Sequence, residues 1–286
     1  MSKTACKNND NLKLAEIEAY WTKKRKDGAQ PKPLPKPPQE GGAFKDIPAP
    51  DKPIGTPANT SIHENYKDKE LVVGLAGKVA DPNTSPWKSN GKLFFRWKGN
   101  DYVGSAGAIF LEVLLTAGHN VFDEGEWSDM FYFDPAYPVN GGSFGWSRAA
   151  VFTAWQNTAD YAYDYAMLQT SAKMNDIGSV GVIRDLAPKG RTWTAIGYPA
   201  DTPYDGASMM ETTGEYVTGA NIITMDHNDM TKGSSGGNWI TIVDGKRYVN
   251  GVQSTRGGAW SYANSPYIKE ADYTNLLNCL KDQSCN

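Results

Sequence analysis

From Tyr66 onward the apolar positions come in short runs: "ELVVGLAGKV", "KLFFRWKG", "DYVGSAGAIFLEVLLTAGH", "MFYFDPAYPV", "SVGVIRD", "RTWTAIGYP", "GEYVTGANIITM" and "NWITIVDGKRYVNGVQST". Gly, Asn-Gly and Pro punctuate them. Runs of β-branched and aromatic residues bounded by turn formers read as strands, and many at close intervals predict an all-β barrel or sandwich. Two stretches carry helical spacing instead. Leu14, Ile17 and Trp21 place a helix over residues 11–27, with Asp10 or Asn11 as cap and Gly28 as stop. Leu276, Leu277 and Leu280 place another near the C-terminus. Between Gln30 and Thr60 lie nine of the 17 prolines. Such a segment favours extended polyproline conformation, so it reads as a semi-rigid linker. The KKRK run at 23–26 reads as a solvated helix end.

Composition narrows the function classes. The chain has 286 residues, 40% of them hydrophobic, and a net charge of -3, which gives no footprint for nucleic acid. No apolar run reaches the roughly 18 residues that span a bilayer. The N-terminus lacks the apolar core of a secretory signal. The expected location is therefore cytoplasmic, or outside the cell by a signal-independent route. Cys6, Cys279 and Cys285 are too few for a disulfide framework. Cys279 and Cys285 pairing, with Cys6 left odd, and three free thiols in a reducing compartment both fit. No Cys/His spacing suits zinc, so neither a metal nor a cofactor is expected.

Chemistry concentrates at three positions. "MTKGSSGGNWI" sets Ser235 among glycines, which weaken a strand and let backbone approach something closely. His119 follows an apolar strand in "LLTAGHNVFD", and Asp164 in "YDYAMLQ" leads into another, an awkward place for an unpaired charge. A serine hydroxyl needs a base to take its proton, and neutral imidazole serves at physiological pH. A buried carboxylate fixes the imidazole tautomer. A tight loop would aim the N–H groups of Gly233 and Ser235 at the developing oxyanion, where each such donor contributes about 3 to 4 kcal/mol.

"LLTAGH", "DYAML" and "GSSGG" resemble the three signature blocks of chymotrypsin-like serine peptidases, in that family's order. "TAGHNVFD", "AIGYP" and "DMTKGSSGGNW" are most similar to the branch holding the glutamyl endopeptidases and related microbial enzymes. The resemblance covers roughly residues 68 to 270. It implies two six-stranded antiparallel barrels, one over 63–172 with His119 and Asp164, the other over 173–286 with Ser235 and a terminal helix packed on it. An N-terminal helical segment (1–28) and a proline-rich linker (29–62) precede them. It also implies a serine endopeptidase with His119 as base, Asp164 as orienting acid and Ser235 as nucleophile; Asp160 competes for the acid but lacks the continuation of the block.

Ser234 stands where the trypsin branch has an aspartate that binds a freshly cut N-terminus, so "LVVG" at 71–74 is not expected to be a trypsin-style activation site. Ser254, Thr255 and Arg256 are expected to line the specificity pocket and pair with substrate. Asp229, six residues before Ser235, favours basic side chains, while Arg256 opposes it and Gln253 stands near the place of a glutamate-reading histidine. The expected outcome is a weak preference for cleavage after basic residues. The expected partners are a protein or peptide substrate, and a partner or secretion machinery recognising the N-terminal arm. The other class of reading is a catalytically silent protease-fold binding module docked through that arm; acyl transfer on a non-peptide ester would use the same residues.

Overall fold

The computed structural model describes residues 2–10, 12–33, 35, 53–56, 76–139, 142–256, 261–282 and 285. Most of the expected linker and the "LVVG" stretch lie outside them. The chain is mostly β, with few helices, and forms a closed six-stranded antiparallel barrel and a second sheet. The barrel runs Phe144–Phe152, Asp129–Pro135, Asn90–Trp97, Asn100–Phe110, Val113–Thr116, Ala166–Thr170 and back to Phe144–Phe152. Closure removes the exposed edges an open sheet would carry. The second sheet holds Gly181–Arg184, Thr192–Gly197, Met210–Gly219, Ile222–Met225, Asn238–Val243, Lys246–Val252, Thr255–Arg256 and Ala263–Pro266. Trp193, Trp239, Ile223, Met225 and Met230 fill a core beneath it.

The N-terminal region is part of the barrel wall. Thr4–Asn8, where no strand was expected, pairs antiparallel with the far end of Phe144–Phe152, from Thr4 opposite Phe152 to Asn8 opposite Arg148. It takes the edge that Asp129–Pro135 leaves after pairing only at Phe144 and Gly145. The single helix expected over 11–27 is two helices, Leu14–Tyr20 and Lys23–Gly28. The break falls at Trp21, whose ring turns onto Phe94 at 5.4 Å and whose indole N–H donates to the Met130 carbonyl at 2.6 Å. Thr22 then caps the second helix by accepting from the Arg25 N–H. This also explains why "KLFFRW" reads as an unbroken apolar run. Phe95 faces Phe131, while Phe94, on the opposite face of the strand, is covered by Trp21 and Tyr137.

Beyond the second helix, Gln30–Pro31 pairs in parallel with Tyr102–Val103. Lys32 is 1% exposed, sits 3.0 Å above the Trp97 ring centre and lies 2.8 Å from Asp123. A buried ammonium survives only with such partners. Ile54–Thr56 then joins the second sheet against Gly181–Arg184.

The C-terminal helix, Glu270–Asp282, corrects one expectation. It packs on the strands of the first barrel and on the N-terminal strand, with Tyr273, Leu276, Cys279 and Leu280 buried in the main core cluster. Its apolar stripe meets Phe144–Phe152 and Ala166–Thr170, and its N-terminal half is tied back across by Arg184, which pairs with Glu270 at 2.7 Å and lies over the Tyr273 ring.

Candidate active site

His119 lies in a one-turn helix, Gly118–Val121, directly after barrel strand Val113–Thr116, and is fully buried. Asp164 ends a 3-10 turn, Tyr161–Tyr163, just before strand Ala166–Thr170. The two strands pair from Thr116 opposite Ala166, so both residues leave the sheet at the same end. Asp164 Oδ2 is 2.9 Å and Oδ1 3.1 Å from His119 Nδ1, and Oδ1 accepts the His119 backbone N–H at 2.8 Å. An ionised carboxylate only accepts, so Nδ1 carries the imidazole proton and Nε2 is left as the basic nitrogen. Ser254 Oγ donates to Asp164 Oδ2. Asp164 is therefore a buried carboxylate held by three donors, the condition under which a charge is tolerated inside. The competitor Asp160 is exposed and caps the Tyr161–Tyr163 turn by accepting from the Ala162 N–H.

Ser235 sits in the loop ahead of strand Asn238–Val243, and its hydroxyl is buried. The loop is pinned to the first barrel through its backbone. The Ser235 carbonyl accepts the Ser105 N–H at 2.7 Å and the Asn120 side-chain amide at 2.9 Å. Asn120 is the residue after His119, so one hydrogen bond sets the serine against the histidine's own turn. Ser105 Oγ donates to the Gly233 carbonyl at 2.9 Å and accepts the Tyr198 N–H at 3.0 Å. Gly236 N–H donates to the Gln253 carbonyl, and Gln253 N–H donates to that of Gly237. Gly233 and Gly236 adopt φ of 92° and 85°, a region that side chains disfavour. A Cβ on Gly236 would lie 2.1 Å from Thr116 Oγ1. Gly236 thus answers to close contact with the first barrel, while Gly233 and Gly237 are crowded by the Tyr198 and Ile196 carbonyls of the second half.

Among the described residues, His119 Nε2 and Ser235 Oγ are buried without a hydrogen-bond partner, and the N–H groups of Gly233 and Ser235 have no acceptor. The Asn120–Ser235 hydrogen bond joins the His119 turn to the Ser235 loop, and each of the two carries polar groups with unused capacity. Buried polar groups are paired in the great majority of cases, so such a concentration is what a site that pairs them with substrate looks like.

The remaining expected residues divide. Ser254 turns its side chain to Asp164. Thr255–Arg256 is a short strand paired on one side with Ala263–Pro266 and terminal in the sheet order, and Thr255 Oγ1 accepts from Asn264. Asp229 Oδ2 accepts the Tyr204 hydroxyl at 2.6 Å and Oδ1 the Ala76 N–H at 2.9 Å. Burial and this hydrogen bond raise the Tyr204 phenol well above its usual range. Gln253 Oε1 accepts from Asn228 and Trp239, leaving its buried Nε2 unpaired among the described residues. Sequence reading missed Ser105 and Asn120; the only signal available was their unusual position inside apolar strand and turn segments.

No protein-family model and no curated protein matches the chain. Solved structures do. A thermostable serine protease, AL20, from an extremophilic microorganism is similar over 67% of this chain and 95% of its own, at 24% identity and TM-score 0.61. The protease Anisep from Arthrobacter nicotinovorans is similar over 65% of this chain and 93% of its own, at 28% identity and TM-score 0.59. A Glu endopeptidase in complex with MPD is similar over 73% of this chain and 97% of its own, at 20% identity and TM-score 0.60. The chain has the chymotrypsin-like fold of these bacterial serine proteases, and they include the glutamyl endopeptidase branch that its sequence blocks resemble.

Proposed function

We propose that this chain is a serine endopeptidase that works through an acyl-enzyme. The observation that supports the reading is the buried His119–Asp164 pair with its free Nε2, on a turn whose Asn120 is bonded to the carbonyl of Ser235, a residue with a buried and unpartnered hydroxyl. His119 Nε2 takes the Ser235 proton as Oγ attacks the substrate carbonyl. Asp164 holds the tautomer and stabilises the imidazolium, while Ser254 and the His119 N–H hold Asp164. The N–H groups of Gly233 and Ser235 receive the oxyanion. The imidazolium then protonates the leaving amine, and water, deprotonated by the same nitrogen, releases the acid. A peptide adds as a strand along the outer edge of Thr255–Arg256.

The proposed preference is weakly for basic residues. Asp229 offers a carboxylate to a cationic side chain, but two of its acceptor positions already serve Tyr204 and Ala76. Arg256 and the Gln253 amide at the same pocket temper it. Peptides differing only before the scissile bond test this, and uniform cleavage of all of them rejects a charged pocket. The triad is tested with Ser235→Ala, which is expected to abolish hydrolysis and labelling by a serine-reactive phosphonate without changing the thermal midpoint. Undiminished hydrolysis by that variant rejects the nucleophile, and a wild-type chain that takes no label favours a silent binding module.

A further inference from the structure

Three sulfurs meet where the N-terminal strand and the C-terminal helix come together. Cys279, on the terminal helix, is bonded to Cys285 just past the helix end, and the pairing leaves Cys6 a free thiol on the N-terminal strand. The Sγ atoms of Cys6, Cys279 and Cys285 lie within 4.8 Å of one another. This convergence is built. Arg148 donates to Asn8 Oδ1 at 2.8 Å and to the Leu280 carbonyl at 2.5 Å, joining the N-terminal strand to the last helical turn. Ser2 Oγ donates to Asp272, and Asn275 Nδ2 to the Ser2 carbonyl at 3.5 Å. Strand pairing fixes Cys6 opposite Ala150, against which the helix packs. Cys279 is fully buried, whereas Cys6 and Cys285 are half-buried.

We propose that this disulfide is exchangeable, with Cys6 as the attacking thiol and Cys279 as the shared partner. The Cys6 thiolate attacks Cys279 Sγ, the Cys6–Cys279 bond forms, the Cys279–Cys285 bond breaks, and Cys285 leaves as a thiolate that takes up the proton Cys6 gave up. One disulfide and one thiol are present before and after, so no oxidant is consumed. Cys279 is held on the packed helix and Cys285 lies past the helix's last residue, Asp282, which makes Cys285 the sulfur free to depart. The two states differ in reach. The Cys279–Cys285 bridge spans six positions, while a Cys6–Cys279 bridge fastens one end of the chain to the other across the first barrel. A longer closed loop restricts the unfolded chain more. The site is thus a covalent clasp between N-terminal strand and C-terminal helix that closes or opens without net redox change.

Trypsin places the three cysteines on separate peptides, TACK, EADYTNLLNCLK and DQSCN. The full-length chain is held without reductant near pH 8, blocked with N-ethylmaleimide, then acid-quenched and mapped. The expected result is TACK linked to EADYTNLLNCLK beside DQSCN linked to EADYTNLLNCLK. In Cys285→Ser treated with glutathione disulfide, the first product is expected alone, and its thermal midpoint is expected above that of a Cys6→Ser, Cys285→Ser double variant. If TACK is fully blocked in the wild type, and Cys279 of Cys285→Ser carries only glutathione or a free thiol, the clasp does not exist.

Discussion

Ser254 shows how far one side chain's destination changes its role. As a residue beside the pocket it would tune selectivity; as a donor to Asp164 Oδ2 it holds the carboxylate that contacts His119 Nδ1. Hydrogen bonds to charged groups contribute about 1.5 to 3 kcal/mol. Ser254→Ala is therefore expected to lower kcat by about tenfold or more with little change in KM, measured by steady-state hydrolysis of a peptide ester. An effect on KM alone would return Ser254 to the pocket. Gly236→Ala is expected to destabilise the fold and abolish activity, because the added carbon meets Thr116 and the backbone at Ser105 and Ala117 in a left-handed conformation. Lys92 carries a charge that burial disfavours. It is 7% exposed, and burial lowers its ammonium to about 8, with the nearby carboxylates of Asp205 and Asp134 opposing the shift. Below pH 8 the lysine is charged both folded and unfolded, and the folded chain bears the desolvation. Between about 8 and 10.5 only the folded chain has released the proton, so this group makes stability rise with pH through that window. Denaturant midpoints across the window should show this contribution in the wild type, and Lys92→Met should remove it. The contact of Asp164 with His119 was legible because their blocks are local, each a few residues whose chemistry demands explanation, and the same holds for the block that makes Ser235 a candidate. Ser105, Asn120 and the destination of Ser254 were not, since their partners lie far along the chain and a buried serine or asparagine looks alike whatever it holds.

At the scale of elements, runs with turn punctuation gave the strands, because pleated surfaces buried on one or both faces select β-branched and aromatic residues whatever the topology. The failures share a cause. Residues 11–27 satisfied helical spacing, yet the chain breaks at Trp21 because its ring and N–H find Phe94 and the Met130 carbonyl outside any helix. "TACKN" gives no pattern by itself; it is a strand because Phe144–Phe152 offers it an open edge. The terminal helix was correctly located but assigned to the wrong half, since a stripe of Tyr273, Leu276 and Leu280 does not say which apolar face it covers. Trp21 accordingly supports more than its own helix. Trp21→Ala leaves a void over Phe94 and an orphaned Met130 carbonyl, and truncating a buried tryptophan costs about 3 to 5 kcal/mol. That loss should appear as a lower urea midpoint with an unchanged slope. A change under about 1 kcal/mol would mean that the helices are only loosely laid on the barrel.

For the molecule as a whole, the question is whether residues 1–33 are an appendage or a structural part. Appended arms that await a partner keep their contacts few and polar. Here the segment contributes a five-residue strand, the buried apolar side chains of Ile17 and Trp21, and ion pairs from Arg25, Lys26 and Lys32 to Asp101, Asp134 and Asp123. The pairs lie on different barrel segments, so the arm braces the barrel around a wide arc. Lys32 adds a specific constraint: burial lowers its ammonium against the pull of Asp123, so removing that carboxylate alone would strand a charge above Trp97. Removing residues 1–33 uncovers Phe94 and frees the edge of Phe144–Phe152, and an open apolar edge is a template for pairing between copies. The truncated chain is expected to be insoluble or to melt well below the full-length protein, with loss of activity following loss of fold. The check is size-exclusion chromatography and thermal melting of both chains at equal concentration. A truncated chain that stays monomeric, melts with the full-length protein and hydrolyses peptides would show that the arm is removable. In that case partner docking or secretion, rather than support of the barrel, would become the leading account of the first 33 residues.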